Sequence, residues 1–352
     1  VTVDSVSLIA QMSYAMALRA LPGISTDNRC QVTLYQAKYA EGLAALTEQC
    51  DLRLLQSDKS LVNELTAHGY TIQQAQSVEV VNDLVVVLPT KNRLRTCGLI
   101  ASAMLSLRSG GSMIMVCANT MGAKGYQNLM AELGGDVQVQ CKSKCRMFKL
   151  HRSADFNTAL AMRWQQAAAM QRVDTHGLMS QAGVFSWDRV DIGSQMLVDA
   201  VLHAGVRDIH GKGMDLCCGY GFLAVSLLAR MHESMQQLHL VDSDGLALDC
   251  ARRNSEVWQE KVKHHWLDAT QEALPGFLDW IICNPPFHRE FQQDMALGQA
   301  IVQRACAALR KGGVIYLVAN RHLPYEKLMR EHLSQLDAVD VRQGFKVLRG
   351  VR

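Results

Sequence analysis

Two short segments of this chain set chemically capable residues beside turn-forming ones. Asp215-Leu-Cys-Cys-Gly-Tyr-Gly221 joins an apolar run starting at Gly213 to the helix-like pattern Phe222-Leu-Ala-Val-Ser-Leu-Leu-Ala-Arg230, so Gly219 and Gly221 fall at a strand-to-helix turn. Lacking a Cβ, both glycines let backbone come close to a ligand. Asn284-Pro-Pro-Phe287 follows the buried-strand run Leu278 to Cys283. Two successive prolines fix φ and remove two N–H donors, leaving a rigid segment whose carbonyls are free to point into a pocket. An exocyclic aromatic amine is a poor nucleophile because its lone pair is delocalised into the ring. With its two N–H groups held by Asn284 Oδ1 and the Pro285 carbonyl, its nitrogen is aimed at an electrophilic carbon, and Phe287 offers a stacking face worth ~1–3 kcal/mol per base. That is catalysis by orientation and requires no base. His288 and His322 read equally as groups behind such a site and as ordinary polar residues. Taken alone, the tetrapeptide also fits a rigid surface turn.

The donor side is read from strand ends. Leu238-His-Leu-Val-Asp242 forms the next strand, with an acid where open α/β sheets bind ligands and where both ribose hydroxyls of an adenosine can be accepted. Val262-Lys-His-His-Trp-Leu-Asp268-Ala269 ends in an acid and a small residue, suited to the adenine amino group and ring edge. Separately these are a tight turn, a solvated strand end and a helix cap. Their ordered recurrence favours one nucleoside across successive strand ends, and with the Asn-Pro-Pro segment it reads as S-adenosylmethionine facing an amine. No Gly-x-x-x-x-Gly-Lys-Ser/Thr run is present, which argues against a P-loop. Ala224 at the third glycine position leaves a dinucleotide site as the lesser alternative.

Three further segments, in order, are Gly183-Val-Phe-Ser-Trp-Asp-Arg-Val-Asp-Ile-Gly-Ser-Gln195, Asn284-Pro-Pro-Phe-His288 and Val318-Ala-Asn-Arg-His-Leu-Pro-Tyr325. Over residues 183–352 the chain thereby resembles the bacterial ribosomal RNA guanine-N2 methyltransferases of the RsmC and RlmG type, which are class I S-adenosylmethionine-dependent enzymes. The resemblance implies S-adenosylmethionine as donor and a guanine amino group of ribosomal RNA as acceptor, on a base that is unpaired or flipped. It implies catalytic roles for Asn284, Pro285 and Phe287. Cofactor contacts are implied at Phe185, Asp191, Gly193, Asp215, Cys217, Gly219, Gly221, Asp242, Asp268, Ala269 and Asn284, with Ser186 in the same loop as Phe185. By itself Asp191 reads as a helix N-cap. Cys217 departs from the family, which has glycine there; its Cβ either crowds the methionine carboxylate or is accommodated at φ below zero. The same tetrapeptide also serves adenine-N6 and protein glutamine-N5 methylation. From a different class, the alternative is a non-catalytic RNA-binding ribosome-assembly factor that retains the pocket.

The first half aligns with the second. Leu52-Arg-Leu-Leu-Gln-Ser-Asp58 matches Leu238 to Asp244, Asp83 to Asn92 matches Asp279 to His288, and Leu107-Arg-Ser-Gly-Gly111 matches Leu309-Arg-Lys-Gly-Gly313. The expected fold is α/β: two tandem Rossmann-like class I methyltransferase domains from an internal duplication, each with a mostly parallel seven-stranded sheet, the N-terminal copy degenerate. Gln56 replaces Asp242, Pro-Thr-Lys replaces Pro-Pro-Phe, and the counterpart of the glycine loop, Val32 to Tyr39, has no glycine, so Tyr39 stands where backbone should meet the cofactor. One cofactor per chain is expected. The domains expected are 1–152, serving RNA binding or structural support; an alanine-rich bridging helix, 153–172; and a catalytic domain, 173–352.

At 352 residues two domains are expected, and a net charge of +3 means that any basic surface must be local. Lys91, Arg93 and Arg95, and then Lys142, Lys144, Arg146, Lys149 and Arg152, are such clusters, fit for RNA phosphates or for a solvated face. Eleven scattered cysteines argue for a reducing cytoplasm and against a disulfide framework. Cys141-x-x-x-Cys145 lacks a second pair, so no metal is expected. Val1 to Ala20 reads as an amphipathic helix ending near Pro22-Gly23 and not as a signal peptide, and no apolar run is long enough to span a membrane. The partner expected is ribosomal RNA or a ribosomal subunit; oligomeric state stays open, with a monomer sufficient.

Overall fold

Runs rich in Val, Ile and Leu become strands covered on both faces, and the segments between them coil into helices that do the covering. The computed structural model describes residues 5–21, 29–73, 81–134, 137–286 and 293–352. The chain divides into two units, Val1–Ala169 and Met170–Arg352.

In the first unit, β1 (Cys30–Tyr35), β2 (Cys50–Leu55), β3 (Ile72–Gln73), β4 (Asn82–Val87), β5 (Leu107–Ala118), β6 (Val137–Lys142) and β7 (Cys145–His151) form a sheet of order β3-β2-β1-β4-β5-β7-β6. Its helices are α1 (Ser5–Ala20), α2 (Leu43–Gln49), α3 (Lys59–Ala67), α4 (Arg93–Ser106), α5 (Ala123–Glu132) and α6 (Thr158–Ala168). The second unit opens with a hairpin, β8 (Gln171–Arg172) and β9 (Met179–Ser180). It continues with β10 (Gly211–Leu216), β11 (Met235–Asp242), β12 (Val262–Trp266), β13 (Leu278–Cys283), β14 (Leu309–Asn320), β15 (Gln335–Arg342) and β16 (Phe345–Val351) in the order β12-β11-β10-β13-β14-β16-β15. Its helices are α7 (Ile192–Ala204), α8 (Phe222–Met231), α9 (Gly245–Asn254), α10 (Gln293–Ala308) and α11 (Tyr325–Arg330). Each sheet is parallel except that β7 and β16 run against both neighbours.

The two units repeat in detail. Gly110 and Gly312 share a φ of +77°, and each donates its N–H, at 2.8 Å, to the carbonyl of Arg152 or Arg352. Asp83 accepts the N–H of Gln31 at 2.7 Å as Asp279 accepts that of Lys212 at 2.7 Å. Arg152 thus closes the first repeat as Arg352 closes the second. The segment after it, expected to bridge the halves, forms α6, which packs on α4: a Cβ on Gly98 would lie 2.3 Å from that of Ala168, so only glycine permits this approach.

What positions a site is the reversal of strand order at β10, whose neighbours β11 and β13 connect in opposite directions along the sheet. A crevice opens there at the C-terminal strand ends. The sheet beneath is held by a core in which Trp280 is fully buried and fills the space that the missing Cβ of Gly213 leaves, 2.0 Å from the indole. Among the described residues no helix is long and apolar enough to cross a membrane, and no group of three His, Cys, Asp or Glu could hold a metal. All eleven cysteines are free.

Candidate active site

β10 and β13 are paired in parallel with Leu216 opposite Cys283, so the segments leaving them emerge side by side. After β10 the chain turns through three left-handed residues, Cys217 at φ +61°, Gly219 at +55° and Gly221 at +87°. The expectation that Cys217 is accommodated at negative φ is therefore corrected. The turn demands the left-handed region, and a residue with a Cβ accepts it at a cost of ~1–2 kcal/mol. No atom lies within 4 Å of where a Cβ on Gly219 would be, whereas one on Gly221 would meet Ala251 at 3.3 Å, which seats α8 against α9. Asp242 braces the turn: its Oδ2 accepts the Gly219 N–H at 2.7 Å and its Oδ1 the Asp244 N–H at 2.9 Å. Each carboxylate oxygen carries two lone pairs and can accept more than one hydrogen bond.

Asn284 is the first residue beyond β13. Its Nδ2 donates to Asp191 Oδ2 at 3.1 Å and to Ser194 Oγ at 2.8 Å. Asp191 is also the N-cap of α7, accepting the Ser194 N–H at 2.8 Å. A Cβ on Gly193 would press on Asp191 Oδ2 at 3.1 Å and on the Phe345 ring at 3.2 Å, so glycine keeps the cap in place. With both amide hydrogens engaged, the amide orientation is set, and Asn284 Oδ1 is left buried without a partner. An unpaired buried acceptor costs about 1–3 kcal/mol, which a ligand N–H would recover. Pro285 is buried beside it. Phe287 and His288 lie outside the described residues.

Around this amide is a cleft open to solvent. It brings together Phe185, Asp191, Cys217, Gly219 and Asn284 from the expected set, with Ser186. Phe185 is half exposed, and Ser186 is left-handed at φ +51°. Gly193 and Gly221 stand behind it as supports. Asp242, Asp268 and Ala269 lie at the ends of β11 and beyond β12, outside its lining. Both Asp268 and Ala269 are buried, and Asp268 Oδ1 holds the Thr270 N–H at 2.9 Å and hydroxyl at 2.6 Å. The cleft also uses residues that sequence reasoning did not single out: Ser194, Cys218, Tyr220, Phe222 and Leu223. Ser194 had a signal, three residues after an N-cap aspartate. Tyr220, stacked on His176 with ring centroids 4.9 Å apart, had none.

Asp215 is fully buried beneath the turn. Its Oδ2 accepts the Ala224 N–H at 3.0 Å, and its Oδ1 has no partner. Burial, helped by the nearby Asp242 charge and opposed by the Ala224 N–H, raises its pKa from 3.8 to about 8. The folded state therefore keeps a proton that the unfolded state has lost, so this carboxyl removes stability as pH rises from the unfolded to the folded value, at up to about 1.4 kcal/mol per pH unit. Urea denaturation is expected to show wild type losing more stability between about pH 5 and about pH 8 than Asp215→Asn does. Equal losses would mean that the carboxyl is ionised in the fold. A hydrogen bond with the Cys283 thiol, burial and neighbouring acidic groups hold the Cys217 pKa well above the ordinary thiol value, which disfavours the nucleophilic thiolate.

The first unit copies the turn without the site. Gln36 has φ +60°, and Ala37 N–H reaches Leu55 O at 2.9 Å as Cys218 N–H reaches Val241 O at 3.1 Å. Gln56 is fully buried with its amide engaged, its Nε2 donating to Ala37 O beyond β1 at 2.8 Å and its Oε1 accepting the N–H of Ser57 and of Asp58 in its own loop. Buried Leu88 occupies the place of Asn284, and Tyr39 stacks on His68 at 3.6 Å.

Residues 175–349 match the family model described as methyltransferase small domain. A ribosomal RNA small subunit methyltransferase C of Hahella chejuensis is 31% identical over 218 residues, which span 61% of each protein. The protein of the same description from Salmonella choleraesuis is 26% identical over 80% of this chain and 78% of its own length. Among solved structures, the T. thermophilus 16S rRNA N2 G1207 methyltransferase in complex with AdoMet and guanosine superposes with a TM-score of 0.79 at 22% identity, covering 100% of this chain and 92% of that one. That likeness establishes the fold.

Proposed function

The chain belongs to the methyltransferase small domain family, alongside the ribosomal RNA small subunit methyltransferases C, and from this we propose that it transfers the methyl group of S-adenosylmethionine to the exocyclic N2 of a guanine in small-subunit ribosomal RNA. The observation that carries the reading is Asn284 Oδ1, a buried acceptor with no partner on a residue that lines a cleft beside the glycine turn.

The residues present suit the donor. Gly219 leaves open space where a side chain would intrude, and Asp242 stands at the next strand end with lone pairs for ribose hydroxyls. Asp268 and Ala269 follow for the adenine edge. Phe185, Asp191, Gly193, Cys217 and Gly221 shape the cofactor side, with Asp215 beneath the turn. S-adenosylmethionine supplies an electrophilic methyl carbon on a sulfonium. Asn284 Oδ1 and the Pro285 carbonyl accept the two N–H bonds of the guanine amine, which turns the nitrogen lone pair toward that carbon; Phe287 stacks the base. With the donor bound, the carbon–nitrogen bond would form as the carbon–sulfur bond broke, sulfur would take that electron pair, and the surplus proton of the amine would pass to water. The base reaches the cleft unpaired or flipped, since its Watson–Crick edge is otherwise engaged.

Residues 173–352 carry this reaction in the proposal, with 1–152 as a degenerate copy that supports it or binds RNA. The compartment proposed is the cytoplasm, in keeping with eleven free cysteines. The test is transfer of labelled methyl to naked small- and large-subunit RNA and to the assembled subunits. Label recovered as N2-methylguanosine from small-subunit RNA is the expected result. Label recovered only as N6-methyladenosine, or only on a glutamine-containing peptide, would replace the acceptor, and cofactor binding without any transfer would reject the reaction.

A further inference from the structure

In the first unit, the end of the sheet that corresponds to the nucleoside site of the second unit has become basic. Lys91 and Arg93 open α4, Lys124 lies in the first turn of α5, Lys142 ends β6, and Lys144 is in the β6–β7 turn; all five are exposed. The fold gathers them. Arg93 Nη2 lies 3.9 Å from where a Cβ on Gly125, next to Lys124, would be. The N–H of Asn119, just past β5, donates to the Lys144 carbonyl at 2.9 Å and ties the hairpin turn to the same edge. Among the described residues none of the five cations has a carboxylate partner. Two other basic residues of the same sequence clusters are occupied: Arg146 donates to Gln127 at 2.7 Å and Arg152 to Leu105 O at 2.9 Å.

At the matching end of the second unit, two of the described cations are paired with carboxylates. Arg342 pairs with Asp199 at 2.9 Å and Asp340 at 3.0 Å, and Lys346 with Glu326 at 2.6 Å. The contrast lies in charge and also in polar contacts: buried Leu88 stands where Asn284 does, and Gln56, where Asp242 does, has its amide engaged, so the first unit offers spread positive charge without those contacts. Such a surface suits a continuous phosphate backbone better than any single small anion, because each neutralised phosphate releases condensed counterions. We infer that Lys91, Arg93, Lys124, Lys142 and Lys144 form a phosphate-backbone contact for the substrate RNA, additional to the contacts with the guanine that is methylated. This rests on the RNA reading above.

The experiment is filter binding of naked small-subunit RNA over a salt series, comparing wild type with a variant carrying Lys91→Gln, Arg93→Gln, Lys124→Gln, Lys142→Gln and Lys144→Gln. The variant is expected to bind at least about tenfold more weakly at ~150 mM salt, with a slope of log affinity against log salt shallower by about 2 to 4. An unchanged circular dichroism spectrum and urea unfolding profile certify that its fold, that of the first unit included, is intact. RNA affinity and slope equal to wild type would overturn the inference and leave this edge to an acidic protein partner. Failure of the functional reading shows separately, as RNA bound by wild type and never methylated.

Discussion

Asn284→Ala is expected to lower the single-turnover rate of methyl transfer by about 10²–10³-fold, the usual consequence of removing one oriented partner of a reacting group, while S-adenosylmethionine affinity changes only a few-fold. The reasoning is geometric. Both amide hydrogens of Asn284 are spent on Asp191 and Ser194, and only Oδ1 remains to hold the amine. Two companions separate orientation from mere presence. Ser194→Ala keeps the acceptor but loosens its hold, and should lose rate by a smaller factor. Asn284→Asp keeps an oxygen toward the cleft but sets a second carboxylate against Asp191, so it should lose rate and recover part of it as pH falls and one carboxyl is protonated. Rapid-quench measurement at saturating cofactor reads all three. A rate for Asn284→Ala within a few-fold of wild type would remove the amide from the mechanism.

The second large effect concerns the number of sites. Calorimetry should find one S-adenosylmethionine per chain, and Asp242→Ala should weaken it by about 10- to 100-fold, as expected when hydrogen bonds to a charged group worth ~1.5–3 kcal/mol are lost. Part of that loss comes through the turn, since Asp242 Oδ2 also holds the Gly219 N–H. No second site should appear behind the weakened one, because Gln56 in the first unit already spends its amide on Ala37, Ser57 and Asp58. A wild-type stoichiometry of two would mean that the first copy still binds cofactor and that its filled turn opens.

Much of this was legible in the amino-acid sequence because it depends on local chemistry. Glycines at a strand-to-helix turn, acids at strand ends and a double proline after an apolar run are dictated by backbone sterics and hydrogen-bonding capacity, which act over a few residues. The internal repeat was legible for the same reason: Asp83 and Asp279, and Gly110 and Gly312, do identical local work in the two units. Within the fold, the Arg152 carbonyl accepts the Gly110 N–H as the Arg352 carbonyl accepts that of Gly312. The chain leaves the first copy through α6, and Gly98 and Ala168 draw the helix onto α4.

Other features were decided only by tertiary structure. Cys217 adopts φ +61° because the turn between β10 and α8 must close onto Val241 and Asp242, distant in sequence, and this requirement overrides the preference of a residue with a Cβ. The direction of the Asn284 amide is set by Asp191 and Ser194, some ninety residues earlier. No local rule says which end of an amide faces a cleft. Likewise, the basic run from Lys142 to Arg152 looks uniform as a string, yet packing spends Arg146 and Arg152 on neighbours and leaves Lys142 and Lys144 exposed. Residue types and spacing determined which chemistry this chain can do, since those are properties of side chains and short backbone segments. Which atoms remain free to do it was decided by the fold, because a hydrogen-bond donor or acceptor is available only after every long-range partner has taken its share.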